Sequence, residues 1–257
     1  CAGGLPELAG LVAAVDEAKA PASRELPGRA RLAVDAAYDP AAPTANVVGI
    51  LAGADPELRD ECLVIGGHLD HVGRQGEVLW PGANDNASGA AAVLALARAF
   101  AEGGVLPRRT VVFVLFAGEE QGLNGSRWFA AHPARPFERT VAMLNLDCVA
   151  HGDSIQLGGG GTQPVLWGLA RGLDAAHARL STARTWPGGG ADAEPFHEAG
   201  IPTLYFASTP SYTHLHQASD TPETLNPVLH AELTRLAYRT AVEIAQGRYV
   251  GEAGERP

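Results

Sequence analysis

Acidic and histidine residues recur in this chain wherever a run of apolar, β-branched residues gives way to a polar loop. They are His68-Leu69-Asp70, Asp85 within Gly82-Ala83-Asn84-Asp85-Asn86-Ala87-Ser88-Gly89, Glu119-Glu120, Asn145-Leu146-Asp147, and His216-Gln217-Ala218-Ser219-Asp220. Side chains at the carboxyl ends of strands in an α/β sheet meet in one crevice. Five imidazole or carboxylate groups meeting there suit two zinc ions, and one further carboxylate suits a general base. The set reads as a hydrolytic metal site.

Taken singly, each residue has a blander explanation. A His-x-Asp in a loop is usually a hydrogen-bonded surface pair, Asp85 between Asn84 and Asn86 reads as a helix cap, and paired glutamates are usually solvated. Glu119-Glu120, however, follow Thr110–Phe116 directly, and Asp147 follows Val141–Leu146. An unpaired charge at the end of a buried strand is costly. All the bland explanations would have to hold together.

The elements that must position these groups alternate regularly. Leu5–Ala18 is weakly amphipathic; Ala30–Ala37 and Asn46–Leu51 read as antiparallel-type strands joined by a Pro/Ala loop over 39–45. Leu63–Gly67 is a short, fully buried strand, and Ala87–Phe100 is apolar nearly all round, as a helix packed on a sheet would be. Asn84, Asp85 and Asn86 offer caps at its start, and Gly103-Gly104 stops it. Thr110–Phe116 is a strand without a polar break. A helix over Asn124–His132, strands at Val141–Leu146 and Ser154–Leu157, a helix over 164–178 and a strand at Thr203–Phe206 follow. Asn226-Pro227 starts the last helix, a cap followed by proline at the first helical position. This order predicts a three-layer α/β/α domain with a mostly parallel central sheet. The chain reads as a single domain over 1–257, with 1–43 set apart as an N-terminal segment.

Composition bounds the function. The 257 residues, 46% of them hydrophobic, can bury one substantial core. Net charge is −10, from 29 acidic against 19 basic residues, without a Lys/Arg cluster, which argues against a nucleic-acid or anionic-membrane partner. The apolar segments fall short of the roughly 18–20 residues of a membrane span. Cys1, Cys62 and Cys148 have no CxxC or zinc-finger spacing; three is odd, and Cys62 and Cys148 read as buried inert thiols. No signal peptide opens the chain, and a start at Cys1 fits lipoprotein processing or a trimmed boundary equally. A secreted or cell-envelope location is the expectation, a cytoplasmic one the alternative.

The runs Gly66-Gly67-His68-Leu69-Asp70, Gly82–Gly89, Phe116-Ala117-Gly118-Glu119-Glu120-Gln121-Gly122, Asn145-Leu146-Asp147 and His216-Gln217-Ala218-Ser219-Asp220-Thr221, in that order, resemble the bacterial leucyl aminopeptidase type of co-catalytic zinc peptidases. That superfamily includes aminopeptidase S, glutamate carboxypeptidase and the glutaminyl cyclases, and the resemblance covers roughly residues 44–246. It implies the zinc-peptidase, phosphorylase/hydrolase-like architecture, two Zn2+ per chain and a peptide substrate. Asp85 would bridge the metals; His68 and Asp147 would complete one, Glu120 and His216 the other. Asp70 would fix the His68 imidazole, and Glu119 would act as general base and return the proton to the leaving amine. His216 rather than His214 is the expected ligand, since it lies four residues before Asp220-Thr221. Relatives often carry an inserted protease-associated domain, and the 1–43 segment resembles the stretch that follows one.

Weaker features remain open. Tyr212 could give a phenol to an oxyanion or simply pack in the pocket wall. Trp186, Phe196 and Phe206 either line a specificity pocket or belong to the core. Asp192 and Pro195-Phe196 resemble the family segment Ser-Asp-His-x-Pro-Phe, but Ala191 and Ala193 replace its serine and histidine, which favours a structural Asp192. Gly158–Gly161 lacks the Gly-Lys-Ser/Thr of a phosphate loop and reads as a turn. A metallo-aminopeptidase is the expected enzyme. Glutaminyl cyclisation, carboxypeptidase action (with Arg127, Arg171 or Arg184 as the cation) and a non-enzymatic receptor are the alternatives.

Overall fold

Continuous β-branched and apolar runs form the centre of the fold because both faces of each strand are buried. In β2 (Cys62–His68), all seven residues are buried, and β5 (Thr110–Phe116) and β6 (Thr140–Leu146) are nearly so. The computed structural model describes residues 5–18, 20–21, 31, 33–34, 39, 42–104 and 106–252. Two compact units are present, Cys1–Ala42 and Pro43–Pro257. The first contains α1 (Leu5–Ala18), with the bounds its sequence predicts. Apart from Arg31, Ala33 and Val34, the predicted strand at 30–37 lies outside the described residues.

The second unit is built on a six-stranded sheet in the order β1-β5-β2-β6-β8-β7, where β1 is Val47–Leu51, β7 is Ser154–Gly158 and β8 is Thr203–Thr209. The four central strands are parallel, and the edge strands β1 and β7 run antiparallel to β5 and β8. Strand β1 thus pairs with β5. A small hairpin, β3 (Gly73–Gln75) with β4 (Val78–Trp80), lies outside this sheet; its short exposed strands carry no run that sequence reading could detect.

Alternate residues of the same strand feed two cores. Leu63 and Ile65 of β2, Val111 and Phe113 of β5, and Ala142, Leu144 and Leu146 of β6 pack with α2 (Gly89–Glu102), α4 (Pro164–Ala175) and α6 (Pro227–Ala245). Cys62, Val64, Val112, Val114, Phe116 and Met143 face Phe129 of α3 (Asn124–Ala131) and Phe196 of α5 (Glu194–Glu198) on the other side. The period of two sends neighbouring side chains to opposite faces. Helix α6 begins as its sequence implies, Asn226 accepting from the Leu229 N–H at 3.1 Å ahead of Pro227. Among the described residues, no helix is long and apolar enough to cross a membrane.

Leu144 is fully buried at the centre of the larger core. Leu144→Ala is expected to cost about 2–5 kcal/mol of unfolding free energy, read as a lowered urea midpoint.

Candidate metal centre

Each predicted group leaves the same end of the parallel sheet. His68 is the last residue of β2, Asp147 follows β6, Glu119 and Glu120 follow β5, and His216 lies in the loop after β8. Asp85 sits in the kinked segment Ala83–Ser88, where its own backbone and that of Asn86 leave the helical region, just before α2. The Asp85–Asn86 peptide bond is cis.

The Asp85 turn is stitched in place from both sides. Asp220 accepts the Asn84 N–H at 2.9 Å and the Asp85 N–H at 3.1 Å. Asn86 Oδ1 accepts the Gly89 N–H at 2.9 Å and the Cys148 N–H at 3.3 Å, while Nδ2 donates to the Leu146 carbonyl at 3.0 Å. Asn84 Oδ1 accepts from Ala150 N–H at 2.9 Å, and Ser88 Oγ from Val149 N–H at 3.0 Å. Asn86 therefore does cap the helix start, and the same amide ties that start to the exit of β6. Gly89 permits this approach, because a Cβ there would overlap the Leu146 carbonyl and Asn86 Oδ1.

Asp85 stands between two pairs of donors. Its Oδ1 is 3.3 Å from His68 Nε2, which is 3.5 Å from Asp147 Oδ1. Its Oδ2 is 3.2 Å from His216 Nε2, which is 3.1 Å from Glu120 Oε2. Ligand atoms bonded to one zinc ion at 2.0–2.1 Å with 90–109° angles lie about 2.9–3.4 Å apart, so these spacings fit two such ions. Asp147 Oδ1 and Glu120 Oε1 are buried without a hydrogen-bond partner among the described residues. Buried polar atoms are rarely left so, and an ion is one of the few things that satisfies them. His68 points the same way. Burial opposes its charge, yet the facing Asp147 and Asp85 carboxylates outweigh it and push the imidazole up to about 12. The site carries more negative charge than its histidines offset, and a divalent cation would relieve it. The donor set fits zinc.

Neighbouring groups orient these donors. His68 Nδ1 lies 3.0 Å from the main-chain carbonyl of Asp70, which turns Nε2 toward Asp85 and Asp147. The Asp70 carboxylate, expected on the imidazole, instead accepts the Glu119 N–H at 3.3 Å. The chain turns immediately after His68, and this brings the carbonyl rather than the side chain back to the ring. Tyr205, on β8, donates its hydroxyl to Asp147 Oδ2 and leaves Oδ1 for the metal side. Burial and the Asp147 charge push the Tyr205 phenol well up, so it stays a donor. The Cys148 thiol is likewise pushed well up by burial, as an inert cysteine would be.

Glu119 lines the same cavity, of about 760 Å3, with Tyr212, Trp186, Arg184 and Leu215. Burial raises its carboxyl to about 7, near the value a general base needs. Tyr212 is 76% exposed on the cavity wall. His214 turns away, bonding Ser219 Oγ at 2.9 Å and meeting His151 edge-on, whereas His216 faces Asp85 and Glu120. Phe196 and Phe206 are core; Trp186 alone of the three aromatics lines the cavity. Arg127 pairs with Glu198 and Arg171 lies over Trp167, which leaves Arg184 as the arginine in the cavity lining. Gly158 packs against the Trp186 ring.

Sequence reading missed two residues. Tyr205 is a polar-tipped residue within the apolar stretch Leu204–Ala207 of β8, and His71 repeats the histidine of His68 three positions on. His71 Nδ1 lies 2.7 Å from Glu120 Oε1 and 3.7 Å from Asp85 Oδ2.

The model of peptidase family M28 matches residues 46–241. The chain belongs to peptidase family M28. It is 41% identical over 111 residues to a probable zinc metalloprotease of Pyrenophora teres f. teres, which covers 41% of this chain and 23% of that protein. It is 26% identical over 201 residues to a probable leucine aminopeptidase of Arthroderma benhamiae, covering 74% of this chain and 56% of the relative. The aminopeptidase from Aneurinibacillus sp. strain AM-1 superposes with a TM-score of 0.67 at 27% identity, over 78% of this chain and 47% of that one. The chain thus spans between about a quarter and just over half of the length of these relatives.

Asp192 is fully buried in the turn before α5 and does not line the cavity. Burial, with Asp147 and Asp70 nearby, raises its carboxyl from the ordinary 3.8 to about 7, against the opposing pull of Ser126 and His68. The folded state then binds this proton more tightly than the unfolded state, so its contribution to stability declines as pH rises from about 4 to 7. Asp192→Asn is expected to remove that decline. Urea midpoints of both proteins at pH 5 and pH 8 measure it.

Proposed function

We propose that this chain is the catalytic portion of a two-zinc exopeptidase that removes amino-terminal residues from peptides. The carrying observation is Asp85, whose two oxygens face separate histidine–carboxylate pairs. Membership of family M28 and relatives named as aminopeptidases support the same reading.

In this reading His68, Asp147 and Asp85 Oδ1 would hold one ion, and Glu120, His216 and Asp85 Oδ2 the other. When bound, zinc polarises the scissile carbonyl and makes water acidic enough to ionise near neutral pH. Glu119 stays outside both sets, accepts the proton of the attacking water and hands it to the departing amine. Its backbone is held by Asp70, and the Asp70 carbonyl holds His68, so base and ligand keep a fixed relation. Tyr212, on the cavity wall, offers a phenol to the developing oxyanion.

The test separates ligand from base. Wild-type protein should take up close to two zinc equivalents and lose aminoacyl-anilide hydrolysis on chelation. Glu119→Ala should keep the metals and lose about 10²–10⁴-fold in kcat, whereas Glu120→Ala should lose metal. Full activity in excess chelator, or the reverse pattern in the two variants, would overturn the reading.

Arg184 favours a second reading, carboxypeptidase action, because a cation in the cavity wall could take a substrate carboxylate. Under the aminopeptidase reading, anilides are cleaved, amino-blocked peptides are not, and Arg184→Ala leaves anilide turnover within about twofold. Carboxyl-end cleavage of blocked peptides, with a KM raised in Arg184→Ala, would shift the assignment to the second reading.

A further inference from the structure

His71 lies outside the five-ligand pattern, yet its ring is among the most confined groups at the site. The side chain is 7% exposed and wedged between Gly82 and His216. Gly82 is left-handed (φ 67°), and a Cβ there would stand 2.5 Å from the His71 ring. The His71 and His216 rings meet edge-on, with centroids 5.6 Å apart.

The nitrogen geometry is informative. Nδ1 lies 2.7 Å from Glu120 Oε1 and 3.7 Å from Asp85 Oδ2, but neither ring nitrogen has a hydrogen-bond partner among the described residues, and neither does Glu120 Oε1. Nδ1 and Oε1 are therefore near each other without being aligned as donor and acceptor. A third partner lying between these two atoms would satisfy both. The separations of 2.7 and 3.7 Å bracket the roughly 2.9–3.4 Å expected between ligand atoms of one zinc ion. His216 Nε2 approaches the same two carboxylates at 3.2 and 3.1 Å, from the other side.

We propose that His71 Nδ1 is a further protein ligand of the metal held by Glu120 and His216, so that this position has four protein donors against three at the His68–Asp147 position. The proposal rests on the two-metal reading above. It makes the sites unequal: the Glu120 metal is caged by Asp85, Glu120, His71 and His216, and the His68 metal keeps a more open coordination sphere for a reacting group.

Metal binding tests it without activity. Zinc and cobalt titrations against a competing chelator give the affinity of each equivalent in wild type and in His71→Ala. Cobalt d–d spectra report the coordination of each. The expected result is an unchanged affinity at the His68 position, which also shows that the variant is folded. The Glu120 position should weaken by more than about 100-fold, beyond the 10–100-fold that loss of an outer-sphere partner causes. The d–d bands added by that cobalt equivalent should change in position and intensity. Two tight equivalents in wild type, with unaltered affinities and spectra in His71→Ala, would overturn the ligand assignment and leave the two-metal reading intact. Fewer than two equivalents in wild type would overturn the two-metal reading itself. A drop of only 10–100-fold with an unchanged spectrum would overturn direct ligation by placing His71 outside the coordination sphere.

Discussion

The centre of this protein is a group of carboxylates held closer together, and further from water, than their charges allow on their own. Asp85 and Asp147 are buried, Glu120 nearly so, and Glu119 adjoins them. Removing such charges from water is expensive unless each meets an opposite charge or a donor. The histidines alone do not balance the group, and the facing Asp147 and Asp85 carboxylates pull His68 upward against its burial. A site of this kind is stable and selective when cations occupy it, and that need shapes everything around it.

The surrounding polar network holds the charges at fixed separations. Asp220 spends both carboxylate oxygens on backbone N–H groups of the Asp85 turn, and Asn86 ties that turn to the exit of β6. Tyr205 occupies one oxygen of Asp147, and the Asp70 carbonyl occupies one nitrogen of His68. In Asp147 and His68 one atom of the group is committed to the protein and the other is turned inward. Placement of this sort is completed during folding, so little reorganisation remains when substrate arrives. The same rigid frame rests on the twin apolar cores of β2, β5 and β6, whose ends set the spacing of His68, Glu120 and Asp147.

The cavity beside the donor cluster is less strictly determined. Trp186 and Leu215 give it apolar wall, Tyr212 and Arg184 polar features, and the loop carrying His216 forms one side. The His216 side chain is 53% exposed, in contrast to His68 at 1%. The two halves of the site therefore differ in solvent access.

Sequence by itself determined the strands and the chemistry at their ends. Runs such as Thr110–Phe116 admit only a doubly buried strand, and a carboxylate directly after such a run must have a partner; motif order then pointed to His68, Asp85, Glu119, Glu120, Asp147 and His216. Local spacing also separated His216 from His214. What it could not determine was anything that depends on which atoms meet across the fold. The Asp70 carboxylate reaches Glu119 while its carbonyl meets the His68 ring because of the local turn of the chain, and Tyr205 finds Asp147 only because β8 lies beside β6. His71 joined the site only when Gly82 and His216 closed around it. The pairing of β1 with β5, across some sixty residues of chain, and the exposed β3–β4 hairpin had no periodic signature to read. Strand identity is local and written in side-chain alternation; coordination geometry is decided by contacts between residues far apart in sequence, and these exist only in the folded chain.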